Sequence, residues 1–229
     1  MNSKHIFVFV LFLGLNMPAI AYIGEVINID SFQHCPFTLS ATGTHMGYDE
    51  PPLGEIVGGQ RDTTFTVTAG TPWLQCQYQG GRLVYRSSDN GGQAWWSLEY
   101  GLVTDLDLDL ANVLREQISV EVAYKNIPDA VPLEITMISE RGTQNEKISS
   151  KTKDITGVVK LNEDVTYVFL FSEFGGLNFR DVDYLKFTFN ASDSSLNGLD
   201  LDIRGDYFCP EPATLLLFSI GGLLLRKRK

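Results

Sequence analysis

A chain of 229 residues, 44% hydrophobic and 20% charged, is long and apolar enough to bury a core, which excludes the weakly hydrophobic, highly charged class of disordered sequences. Its formal net charge of −10 leaves no basic footprint, which excludes a nucleic-acid partner. The charge is unevenly spread: residues 1–21 hold one basic residue, Lys4, and residues 226–229 hold four, so 13 basic residues stand against 28 acidic ones in between, a balance of −15.

In chain order, the first element is a secretory leader over 1–21. Lys4 and His5 form a short polar start, Ile6 to Leu15 an apolar run, and Ala19-Ile20-Ala21 places small residues at the positions that define cleavage, expected after Ala21. The alternative, a transmembrane anchor, needs about 20 apolar residues, and the run here is about half that. Export follows, into an oxidising compartment where disulfides persist.

Residues 22–208 form the body. Thr64 to Thr68 alternates with period two, Phe65 and Val67 on one side. Trp73 to Tyr78 and Arg82 to Arg86 flank Gln79-Gly80-Gly81, a hairpin turn whose glycines can take positive φ. Ser87 to Gly92 makes the next turn, and Gln93 to Leu102 returns as an aromatic strand. A short helix is expected around Leu110 to Gln117. Ile118 to Tyr124 and Leu133 to Ile138 alternate again, and Val165 to Phe171 is nearly continuously hydrophobic, as a strand buried on both faces would be. Leu185 to Phe189 and Leu199 to Arg204 complete a set of nine to eleven strands. The expected fold class is all-β, an antiparallel β-sandwich in one domain.

Three features of the body could carry chemistry. Trp73, Tyr85, Trp95, Trp96 and Tyr100 could form a sugar-stacking platform, although neighbours on a strand face opposite ways, so at most one of Trp95 and Trp96 lies in the core. The ladder Asp105-Leu106-Asp107-Leu108-Asp109-Leu110, if extended, puts three carboxylates on one side within about 14 Å. Such hard oxygen donors suit a structural Ca²⁺, with solvated aspartates as the alternative; Asp200 and Asp202 repeat the pattern. Cys35, Cys76 and Cys209 leave one odd cysteine after any single bridge, and Cys35–Cys76 is the pairing expected. No nucleophile elbow, zinc-spaced cluster or phosphate loop occurs, so no catalytic residue and no cofactor is assigned.

The tail is Pro210-Glu211-Pro212, the 13 apolar residues Ala213 to Leu225, and Arg226-Lys227-Arg228-Lys229. As a helix the apolar part is roughly 20 Å long against a hydrocarbon core of about 30 Å, short for a permanent anchor but sufficient for a transient signal. This order of parts resembles the PEP-CTERM sorting signal of Gram-negative bacteria over 210–229. The resemblance implies processing by an exosortase near the Pro-Glu-Pro, after passage through the secretion machinery. It also implies residence in the envelope, at the cell surface or in an extracellular matrix containing exopolysaccharide, with the membrane touched through the tail. Ile29-Asp30-Ser31-Phe32, Gly58-Gly59-Gln60-Arg61-Asp62 and Phe179-Arg180-Asp181-Val182-Asp183 are similar to segments of other such proteins, whose bodies resemble jelly-roll domains of the galactose-binding and carbohydrate-binding-module type. The expectation is a non-enzymatic exported protein for adhesion, matrix structure or glycan binding. The alternatives are a secreted polysaccharide-active hydrolase and a passive tail-anchored structural protein.

Overall fold

The computed structural model describes residues 29–33, 36–48, 56–77, 80–87, 91–111, 117–126, 130–156, 158–159, 164–192 and 199–204, all within the unit Val26–Pro210. The leader with Ala19 and Ala21, the tail with Pro210, Glu211, Pro212 and Arg226 to Lys229, and Cys35 and Cys209 lie outside the described residues.

In chain order the strands are β1 (Phe37–Leu39), β2 (Gly43–Tyr48), β3 (Gln60–Ala69), β4 (Trp73–Gln77), β5 (Arg82–Arg86), β6 (Gln93–Tyr100), β7 (Gln117–Asn126), β8 (Val131–Ser139), β9 (Lys147–Ile155), β10 (Val158–Val159), β11 (Val165–Leu170), β12 (Val182–Ala191) and β13 (Asp200–Arg204). One sheet has the order β1-β4-β5-β13-β7-β10, with β11 also pairing β7; the other runs β2-β3-β6-β12-β8-β9. All the pairings are antiparallel, and the two sheets form a sandwich.

Alternation writes this arrangement into the chain. In β8, Val131, Leu133, Ile135, Met137 and Ser139 are buried while the residues between them are half-exposed. Inward residues of both sheets meet in one core, at whose centre Trp96 lies between Tyr85 of the opposite sheet (ring centroids 4.5 Å apart) and Phe189 of the neighbouring strand (5.1 Å). Stacked pairs of this kind contribute about 0.5–1.5 kcal/mol each beyond area burial. One hairpin glycine is required by its surroundings: Gly81 has φ +52°, and a Cβ there would sit 2.4 Å from the Ser31 carbonyl.

The strands expected from sequence are present, β3 starting four residues and β12 three residues before the expected bounds, with two corrections. β11 is not buried on both faces; it lies at the margin of its sheet against β7, and Phe169 alone of its residues is fully buried. Four strands escaped expectation. β9, Lys-Ile-Ser-Ser-Lys-Thr-Lys-Asp-Ile, shows why: it is an exposed edge with little apolar alternation, and its lysines guard against edge-to-edge pairing. The expected helix falls largely on residues 112–116, outside the described residues, and its last residue, Gln117, begins β7. Among the described residues no helix is long and apolar enough to cross a membrane.

Candidate functional site

The structure divides the five sequence-selected aromatics among three places. Tyr85, Trp96 and Tyr100 are core residues, each 1% exposed or less. Trp73 points outward from β4 on the seven-stranded sheet, and Trp95 points outward from β6 on the six-stranded sheet. They therefore form no single platform. Period two explains it: Trp96 and Tyr100 are both an even number of residues apart on the inward side of β6, and Trp95 takes the other side.

The outer side of the six-stranded sheet is built in rows across the strands. One row runs Met46–Asp62–Glu99–Lys186–Thr136–Ser150, the next Thr44–Thr64–Ser97–Thr188–Glu134–Thr152, and beyond them Trp95 stands between Thr66 and Asn190. Glu99 is the hub: the Tyr184 hydroxyl donates to it at 2.7 Å, Ser97 Oγ at 2.9 Å and Lys186 Nζ at 3.0 Å. Burial alone would raise the Glu99 carboxyl, but these donors and the Lys186 charge hold it below the usual glutamate value. Burial and the bond to Glu99 push the Tyr184 hydroxyl up. Asp62 receives both its bonds from Gln60 Nε2, at 2.9 and 3.1 Å, and Glu134 accepts from the hydroxyls of Thr136 and Thr152. On the edge strand β2, Met46 and Tyr48 extend the same side with exposed apolar surface.

The seven-stranded sheet treats its outward carboxylates differently. Asp202, buried, is paired with Arg86 at 2.5 Å and Arg82 at 3.5 Å; Asp200 takes Arg86 at 3.4 Å; Glu121 and Asp164 share Arg204 at 3.4 and 2.9 Å. The Arg86 guanidinium also lies 5.9 Å from the Trp73 ring. The cation expected at Asp200 and Asp202 is thus supplied by the chain's own arginines.

The ladder Asp105, Asp107, Asp109 is corrected as well. Its leucines do turn inward and its aspartates outward, but the carboxylates go to three partners. Asp105 lies 3.6 Å from Arg141 Nη1, and Asp109 accepts the Ala111 amide. Asp107 has φ +48°, so the segment is not an extended strand there, and its carboxylate joins Asp181 and Asp183 with ligand oxygens within 4.8 Å of one another. The sharing of one cation by the three ladder aspartates is therefore not what the fold provides. The trio of Asp107, Asp181 and Asp183 is instead the oxygen-donor set that could hold a hard cation. A register shift in β12 between Val182 and Tyr184 releases Asp183 toward it, and burial, then the neighbouring acidic charges, raise its carboxyl against the pull of the Arg141 amide. The sequence held the signal for this trio in Phe179 to Asp183, although not its link to Asp107.

A further charged group is internal. Asp30 accepts Arg61 Nη1 at 2.6 Å, the Tyr100 hydroxyl at 2.9 Å and the Phe32 amide at 2.8 Å, all buried. Burial works against the Arg61 charge, but the Asp30 carboxylate outweighs it and holds the guanidinium above its ordinary value. Arg61 also reaches Cys76 Sγ at 3.7 Å; the other half of the expected disulfide, Cys35, is outside the described residues. The cavity beside this group, about 40 Å³, is an order of magnitude below ligand pockets. The group fastens residues 29–33 to the sandwich.

No protein-family model matches the chain, and no curated protein matches it. Among solved structures, carbohydrate-binding modules from the β-sandwich superfamily align with TM-score 0.34 and 9% identity, over 80% of this chain and 57% of theirs. The enzymatically active domain of bacteriophage CBA120 tailspike protein 4 aligns at 0.33 and 11%, over 80% of this chain and 20% of that one. TmCBM61 in complex with β-1,4-galactotriose aligns at 0.30 and 10%, over 73% and 88%. This chain thus spans a little over half of the carbohydrate-binding-module chain and a fifth of the tailspike chain. Likeness at this level bears on neither ligand nor activity, and the sandwich is read from its own strands.

Proposed function

We propose that this is an exported protein of the cell envelope or extracellular matrix, sorted by an exosortase through Pro210-Glu211-Pro212 and its apolar, basic-ended tail, whose jelly-roll sandwich holds glycan without turning it over. Adhesion or matrix cohesion is the consequence. The jelly-roll reading rests on winding: the chain passes from sheet to sheet between β1 and β2, β3 and β4, β5 and β6, β6 and β7, β7 and β8, β9 and β10, β11 and β12, and β12 and β13. The observation that carries the glycan reading is Trp95, a half-exposed ring on a sheet side otherwise made of hydroxyl, amide and carboxylate groups, with Asn190 and Thr66 beside it. Sugar rings pack their apolar faces on such a ring and their hydroxyls on such neighbours.

A glycan array on the full chain tests this. Trp95→Ala should cost at least tenfold in affinity, as loss of a stacked aromatic anchor does, whereas Trp73→Ala should leave affinity within about twofold. Equal loss in both variants, or no binding in the wild type, overturns the reading. A second reading, a polysaccharide hydrolase, is favoured by one observation: Asp62 lies directly opposite Glu99, which sets their Cβ atoms about 4.5–5.5 Å apart, compatible with the roughly 5 Å carboxyl separation of retaining glycosidases. Release of reducing ends that Glu99→Gln abolishes would establish it. For the tail, expression with and without an exosortase should give two masses; one mass in both hosts removes the sorting proposal.

A further inference from the structure

We propose that the outer side of the six-stranded sheet selects its glycan by charge, taking amino-sugar polymers ahead of neutral ones and turning polyuronates away. This rests on the glycan reading above and deepens it. The argument is the charge balance around Trp95. The outward side chains of β3, β6, β12 and β8 include three carboxylates, Asp62, Glu99 and Glu134, and one cation, Lys186. Glu99 and Lys186 neutralise each other at 3.0 Å. Asp62 and Glu134 have neutral donors instead, an amide and two hydroxyls, which fix the carboxylates in place and leave their charge uncompensated. Arg141, at the far end beside Tyr184, is engaged by Asp105 and by the Gly101 and Leu102 carbonyls. The edge strand β9 adds Asp154, in register with Pro132 on the same side.

Asp62 and Glu134 lie on opposite flanks of the β6–β12 pair, three strand spacings or roughly 14 Å apart. A polymer lying along the β6 and β12 strands over Trp95 therefore has a negative position on each flank, Glu134 one row and Asp62 two rows beyond Trp95. Sugar ammonium groups form charge-assisted hydrogen bonds with such carboxylates, whereas uronate groups meet like charge.

The test is equilibrium binding of the full chain to a fully deacetylated β-1,4-glucosamine polymer, a neutral β-1,4-glucan and polygalacturonate of matched length. At low salt the glucosamine polymer should bind about tenfold more tightly than the glucan, the gap should close at high salt, and polygalacturonate should bind weakest. Because the whole chain is acidic, the deciding comparison is between two double variants of equal charge. Asp62→Asn with Glu134→Gln should bring the glucosamine-to-glucan ratio near one, while Asp105→Asn with Asp109→Asn should keep it. Equal loss of the ratio in both variants, or polygalacturonate binding as tightly as glucan, overturns charge selection. Glucan binding that depends on Trp95 with no preference for the amine polymer overturns it too and leaves the glycan reading standing; absence of binding to all three polymers overturns both.

Discussion

The two outer sides of the sandwich carry similar numbers of carboxylates and a tryptophan each, yet they differ in what meets those groups. On the seven-stranded sheet every outward carboxylate considered has an arginine within 3.5 Å, and Arg86 approaches the ring of Trp73. That side is satisfied by its own chain. On the six-stranded sheet only Glu99 has a cation, while Asp62 and Glu134 have amide and hydroxyl donors. Counting acidic residues does not separate a structural surface from a binding one; the identity of their partners does.

The contrast can be broken by removing cations in order of burial. The largest effect is expected inside, at Arg61, wholly buried against Asp30. Arg61→Ala strands that carboxylate and should cost about 3–5 kcal/mol in denaturant unfolding. Removing both partners, Asp30→Asn with Arg61→Met, should cost less than Arg61→Ala alone. Equal costs would mean that the charge pair is irrelevant and only packing matters. Next comes Arg86→Ala, which leaves buried Asp202 with Arg82 at 3.5 Å and should cost about 1–3 kcal/mol. The matching change on the other side, Lys186→Ala, exposes a pair nearer solvent and should cost under about 1 kcal/mol. If Lys186→Ala is the more damaging, the six-stranded side is the structural one and the assignment reverses.

How far the sequence reaches follows from the same physics. Strands whose inner residues are buried and whose outer residues are half-exposed, such as β4 and β8, are legible because burial on one side enforces period two. β9 is not legible, since an edge strand with solvent on both sides has no apolar alternation to show. At the site, the split of Trp95 from Trp96 follows from alternation alone. The pairing of Asp62 with Glu99, or of Asp107 with Asp181 and Asp183, does not, because it depends on which strands become neighbours across 37 and 74 or more positions. The alternation Lys186, Thr188, Asn190 in β12 did announce a polar outer row; nothing local tells that Trp95 would stand beside it.

The smallest effect concerns pH and sharpens the reading of Glu99 as the one compensated carboxylate of its side. Its folded pKa is lowered: burial opposes this, and Tyr184, Lys186 and Ser97 outweigh it. A group with a lowered folded pKa binds fewer protons in the native state than in the unfolded one, so its contribution is fully present above the ordinary glutamate value and is lost as pH falls through the folded value. Stability should therefore decline on acidification across that window, and Glu99→Gln, which cannot titrate, should flatten that part of the profile while leaving the rest unchanged. Lys186→Ala removes the charge but not the Tyr184 and Ser97 bonds, so it should shift the same decline to higher pH without abolishing it. Urea unfolding at a series of acidic pH values reads both. A Glu99→Gln profile parallel to the wild type would mean that Lys186 and the neighbouring donors do not hold Glu99, and the six-stranded side would then carry three uncompensated carboxylates instead of two against the arginine-paired side.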